Sequence, residues 1–148
     1  VWLLYSPVAF AQSLPQQKGI INDNENDFEL GTVAQLGKLA ETHKAKSANE
    51  IAIVTTASCA PYKNMEEYAK QLASTWALGK TKNNGVLIIL SQAKNEAKII
   101  AGSALKTKLS DAVCQKIISE KIQPKFKEGN YDQAAIDCLM EVIRVLEK

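Results

Sequence analysis

A continuous apolar run, Val86-Leu-Ile-Ile-Leu90, follows the turn-forming triplet Asn83-Asn84-Gly85, and only six residues, 91–96, separate it from a second run at 97–101. An apolar run without polar alternation is the pattern of a strand covered on both faces. Six residues suit a hairpin and are too few for a helical crossover, so the two runs are expected to pair antiparallel. A third run of the same kind lies upstream at 51–56.

Amphipathic stretches fill the spaces between and around these runs. One helix is predicted at 29–46, with Leu30, Val33, Leu36, Leu39 and Ala40 on one face. A second starts at Asn64, where Asn64-Met-Glu-Glu67 has the form of a capping box and Gly79 is the expected stop. Its stripe is Met65, Tyr68, Ala69, Leu72, Ala73 and Trp76. A third runs from about 110 to 122, where Pro124 breaks or kinks it. A fourth follows the stop and cap at Gly129-Asn130 and buries Tyr131, Ala134, Ala135, Cys138, Leu139, Val142 and Leu146. Interleaved strands and helices define an α/β class, a three-layer α/β/α sandwich.

At 148 residues the chain fits one domain with a full-sized core. Net charge is +2 and Arg144 is the only arginine, so a phosphate-tracking surface for nucleic acid is not expected. The first eleven residues are apolar and end in Ala9-Phe10-Ala11, which reads as the back half of a secretory signal peptide, an N-terminal anchor being the alternative. No later run reaches the ~18 apolar residues of a spanning helix. The expected organisation is a signal-peptide remnant at 1–11, an irregular segment at 12–28 and the folded domain at 29–148, exported to a periplasmic or extracytoplasmic compartment.

Three cysteines, Cys59, Cys114 and Cys138, leave at least one thiol free. Cys114 and Cys138 sit on apolar helix faces, which favours buried thiols, and a bridge between them stays open. No CxxC or Cys/His spacing supports zinc. His43, the only histidine, lies near the end of the first helix with no acid or nucleophile motif beside it. No Gly-x-Ser-x-Gly elbow and no glycine-rich phosphate loop is present. What remains is a set of oxygen donors at loop ends: Asp23 in the N-terminal turn, Asn84 before the central run, and Asp111 at a helix start. Calcium takes carboxylate, amide and backbone oxygens of this kind. Helix-start acids and Asn-Gly turns also arise for purely structural reasons.

Taken in order, Ile21-Asn22-Asp23, Ile51-Ala-Ile-Val-Thr55, Tyr68-Ala69, Trp76 with Gly79, Asn83-Asn84-Gly85, Gly102, Leu109-Ser-Asp111, and Pro124, Phe126, Gly129 and Tyr131 resemble the TPM domain family over about residues 18–145. The resemblance implies a mixed, roughly four-stranded sheet, export across a membrane and, in some members, calcium binding with acid phosphatase activity. Plant and cyanobacterial relatives serve photosystem II repair, and bacterial ones are envelope proteins. Carried over, Asp23, Asn84 and Asp111 form the ligand or active-site cluster.

Three departures weaken that carry-over. The family's Asp-Asn-Gly is Asn83-Asn84-Gly85, its Ala-Gly after the first Asp falls on Glu25-Asn26, and its second Gly-x-Gly glycine falls on Ala104. Asparagine tolerates left-handed geometry, so the turn at Asn26 is expected to survive. The sequence therefore favours an envelope binding or assembly module with a calcium site and a membrane-protein or envelope partner. The alternative is a metal-assisted acid phosphatase acting on phosphomonoesters.

Overall fold

The computed structural model describes residues 14–148, so the apolar stretch at 1–11 lies outside the described residues. The chain order is β1 (Ile21–Asp23), α1 (Leu30–Ser47), β2 (Glu50–Thr55), α2 (Met65–Trp76), β3 (Gly85–Ser91), β4 (Glu96–Ala101), a 3-10 turn (Ser103–Leu105), α3 (Asp111–Ile117), a π-helical turn (Ile118–Ile122), α4 (Gln123–Lys127) and α5 (Tyr131–Leu146). The sheet order is β1-β2-β3-β4. β1 and β2 are parallel, as are β2 and β3, while β3 and β4 form the expected antiparallel hairpin.

Alternate residues of the central strands feed two cores, as the two-residue strand period requires. Ile51, Ile53, Val86, Ile88 and Leu90 face α1 and the α3–α5 layer. Ala52, Val54, Leu87 and Ile89 face α2, through Met65, Tyr68, Ala69 and Leu72. Every residue of β3 is buried, which explains its unbroken apolar sequence. α1 and α2 thus lie on opposite faces, although β1, β2 and β3 are laid down in one direction. The two parallel crossovers must therefore have opposite hands, and one takes the rare left-handed path.

Local chemistry sets the element ends. Asn64 caps α2 by accepting from the Glu67 backbone at 2.9 Å, and Ser110 and Asn130 cap α3 and α5 in the same way. α2 stops at Ala77, in left-handed geometry, two residues before the expected glycine. Gly79 and Gly85 instead serve the following turn, where a Cβ on Gly79 would meet the Gly85 nitrogen at 2.4 Å. The third helix does not break at Pro124. It widens into the π turn, and Pro124 falls in the first turn of α4, where a missing N–H costs little.

The segment expected to be irregular at 12–28 contributes a strand. β1 pairs with Ile53–Thr55 of β2, and Asn22 is buried there, its amide donating to the Gly19 carbonyl at 3.1 Å. Further upstream, Trp76 Nε1 donates to the Pro15 carbonyl at 2.9 Å, strapping the chain across the α2 face.

Candidate functional site

At the C-terminal ends of the parallel strands, the usual site of ligands in α/β sheets, lies a group of carboxylates. Asp23 ends β1 level with Thr55 of β2. Its Oδ1 accepts from the Asp27 backbone (2.8 Å) and the Thr55 hydroxyl (2.9 Å), and its Oδ2 accepts from the Phe28 backbone (2.9 Å). Asn26 stands in left-handed geometry within this turn, at φ +56°, so the turn survives without glycine. Glu25 reaches across the end of β2 and accepts from the Gln92 backbone, just past β3, at 3.1 Å. Asp132, from the first turn of α5, accepts from the Glu29 backbone (3.1 Å) and the Thr32 hydroxyl (2.6 Å) at the start of α1.

Asp27 feels this crowding most. Partial burial, the hydrogen bond and charge of Glu25, and the charges of Asp23 and Asp132 push its carboxyl up from the ordinary 3.8 to about 7. Near neutral pH the Asp27 carboxyl therefore still holds its proton in part of the population, as a half-buried carboxyl beside other acids does.

Asn84 lies at the other end of the sheet, next to the Gly85–Glu50 pair. Six strand residues separate its level from that of Asp23 and Thr55, or about 20 Å at roughly 3.3 Å per residue. Its amide donates to the Ala48 carbonyl at 2.9 Å and to Asn49 Oδ1 at 3.3 Å, closing the end of α1 onto β3. Asp111 opens α3, is 93% exposed, and stands 3.7 Å from Lys106. The structure does not bring Asp23, Asn84 and Asp111 together, and one cation cannot span Asp23 and Asn84.

Carboxylate oxygens are the right donors for a hard cation. However, both Asp23 oxygens are spent on the turn and Thr55, Asp132 Oδ2 on the start of α1, and Glu25 Oε1 on the Gln92 backbone. Among the described residues, no three Asp, Glu, His or Cys side chains are arranged to hold a metal ion. The residues present therefore do not form a closed calcium cage. Glu25, Asp27 and Asp132 were not singled out in the sequence, and their only mark there is the acid density between 23 and 29.

His43 is 1% exposed, and both its ring nitrogens are engaged. Nδ1 lies 2.8 Å from Glu147 and Nε2 lies 3.0 Å from the Asn49 amide. The hydrogen bond to His43 holds the Glu147 carboxyl below its usual range. Among the described residues, neither ring nitrogen is bonded to a nucleophile. All three cysteines are free and buried. Burial pushes the Cys114 thiol up to about 11 and raises Cys138 further, so both are inert core residues. No helix among the described residues is long and apolar enough to cross a membrane.

A mixed four-stranded sheet between unequal helical layers, with polar loops at both strand ends, defines an α/β/α domain of the class that the ordered motifs suggested. Residues 21–145 match the family model for the TPM domain, and the chain belongs to that family. Solved structures carry the same fold. The N-terminal domain of a P. gingivalis protein superposes with a TM-score of 0.80 at 23% identity, covering 86% of this chain and 82% of that one. A protein of the psychrophilic bacterium Bizionia argentinensis gives 0.70 at 18% identity, covering 83% of each chain. An N-terminal domain from Corynebacterium glutamicum gives 0.67 at 13% identity, covering 90% and 84%. No curated protein matches the sequence.

Proposed function

We propose that this TPM domain is a binding or assembly module of the cell envelope, with the acidic end of its sheet as the working face. One observation carries the reading: Asp23, Glu25, Asp27 and Asp132 converge at the C-terminal strand ends, where burial and then the neighbouring acids raise Asp27 to about 7. A face that holds a proton against its own negative charge favours a cationic partner surface, or a divalent cation shared with one. Calcium enters this reading as a bridging ion, because the carboxylate oxygens left unengaged at this end are too few for a resident site. Export is supported by the apolar stretch ending at Ala11. It would place the module in a periplasmic or extracytoplasmic compartment, where envelope or membrane proteins are its partners.

Calcium titration followed by amide NMR tests the reading. The expected result is a set of shifts confined to residues 23–29, 55–56 and 91–92, with millimolar affinity and release of a proton near pH 7. Shifts centred on Asp111, or the absence of any shift at the acidic end, would overturn it. Phosphomonoester turnover lost on Asp111→Asn would instead establish the phosphatase alternative.

A further inference from the structure

A sizeable cleft lies away from the acidic end, between the C-terminal half of α5 and the wall formed by α3 and the π turn. Its volume is about 520 Å³, within the range of small-molecule sites. One wall presents Val113, Lys116, Ile117, Glu120 and Lys121, which follow the i, i+3, i+4, i+7, i+8 spacing of a single helical face. The opposite wall presents Glu141, Arg144, Val145 and Lys148, again at helical spacing, and Lys108 closes one end. The floor is apolar, because Ile117 and Val145 are buried and Val113 is half-buried.

The rim carries five cationic side chains against two carboxylates. Arg144 grips Glu141 with two hydrogen bonds, one from Nε at 2.9 Å, and so neutralises one of the acids. The Arg144 hydrogen bond, with the smaller fields of Lys121 and Lys148, holds that carboxyl below its usual range. Lys108 Nζ donates to the Leu146 and Lys148 carbonyls at 3.3 and 3.2 Å, which fixes its ammonium at the cleft mouth. Among the described residues, Lys116, Lys121 and Lys148 have no acidic partner within ion-pair distance. With Glu141 matched to Arg144, Glu120 is the remaining acid of the rim, so positive charge is in excess there.

We infer that the cleft between α3 and α5 is a binding site for an organic phosphate, the phosphate held by Lys108, Lys116, Lys121 and Lys148 and the apolar body resting on Val113, Ile117 and Val145. Lysine holds phosphate as a point charge, and an apolar floor below a cationic rim selects an ester over the bare ion. Among the described residues, no histidine, cysteine, serine or threonine lines the cleft, so it binds without a nucleophile of that kind. The same chemistry could come from a soluble phosphomonoester or from an anionic lipid headgroup. The inference stands apart from the acidic end, which Asp132 marks at the opposite terminus of α5.

The test uses three probes on the whole chain: phenyl phosphate, inorganic phosphate, and phosphatidylglycerol vesicles set against phosphatidylcholine vesicles. Phenyl phosphate is expected to shift the amides of Val113, Ile117, Lys121 and Val145 saturably, and more tightly than inorganic phosphate. The pair Lys116→Glu and Lys121→Glu should weaken binding at least tenfold with an unchanged melting curve, while Lys63→Glu with Lys80→Glu, before and after α2, should leave it intact. Binding of phosphatidylglycerol vesicles alone, lost in the Lys116/Lys121 pair, supports the site with a lipid source. Equal binding by both charge-reversed pairs, shifts spread over all surface lysines, or no response to any probe would overturn it.

Discussion

The Thr32 hydroxyl on α1 donates to Asp132 Oδ2 on α5 at 2.6 Å, and the same oxygen accepts from the Glu29 backbone at 3.1 Å. Glu29, the N-cap of α1, makes no side-chain cap of its own. A carboxylate a hundred residues away therefore caps α1, while His43 and Glu147 join the same two helices at their other ends. Asp132→Ala removes a charged cap and should cost about 1–2 kcal/mol, measured by urea unfolding. Asp132→Asn, which keeps an acceptor, should lose less. Equal losses would mean that the charge, not the cap, is what matters.

The raised Asp27 carboxyl gives stability a pH dependence of definite sign. Between its ordinary 3.8 and about 7 the folded protein keeps a proton that the unfolded chain has released. Stability from this group is thus complete at acid pH and is lost as pH rises through about 7. Glu25, Asp23 and Asp132 are the charges facing it. Asp27→Asn should flatten the stability difference between pH 4 and 8 and leave the variant more stable than the parent at pH 8. An unaltered pH profile would show that another group carries the proton.

How far the sequence revealed this molecule depends on range. The runs at 51–56 and 86–90 showed themselves because both faces of β2 and β3 are buried, which forces continuous apolar sequence. The capped helix starts at 64 and 130 were visible because a cap and its partner lie three residues apart. β1 was not visible: three residues show no period, and its one buried side chain is an asparagine. Asp23 was identified, but as a ligand, whereas its oxygens hold a turn. The acidic end and the cationic cleft were hidden because their members come from distant segments: 23–27 with 132, and 108–121 with 141–148. Lysines that look scattered along the chain gather once α3 meets α5.

The glycines make opposite predictions. A Cβ on Gly102 would lie 2.2 Å from the Asn83 carbonyl oxygen, where the end of β4 meets the turn into β3. That contact is backbone and cannot swing aside, so Gly102→Ala should destabilise by about 1–3 kcal/mol. At Gly37, inside α1, an added methyl group would meet nothing within 4 Å. Gly37→Ala should therefore stabilise by about 0.5–1 kcal/mol. Thermal melts of the two variants check both signs at once.

Buried polar contacts at the far end of the sheet fix the state of His43. Asn84 Nδ2 donates to Asn49 Oδ1 at 3.3 Å, which orients Asn49 so that its own amide points at His43 Nε2. Nε2 must then accept, and Nδ1 carries the proton toward Glu147. The imidazole is thereby a strut between α1, α5 and the start of β2. A long-range proton–nitrogen NMR spectrum at neutral pH should show the Nδ1–H tautomer, and a protonated Nε2 would contradict the chain of donors. His43→Phe keeps the bulk but strands the Asn49 amide, and should destabilise by about 1–3 kcal/mol. In a double-mutant cycle, His43→Phe and Asn49→Ala should be non-additive by at least about 0.5 kcal/mol, as residues in one network are. Calcium shifts at residues 23–29 should be the same in His43→Phe as in the parent, because the two ends of the sheet share no side-chain contact through this network.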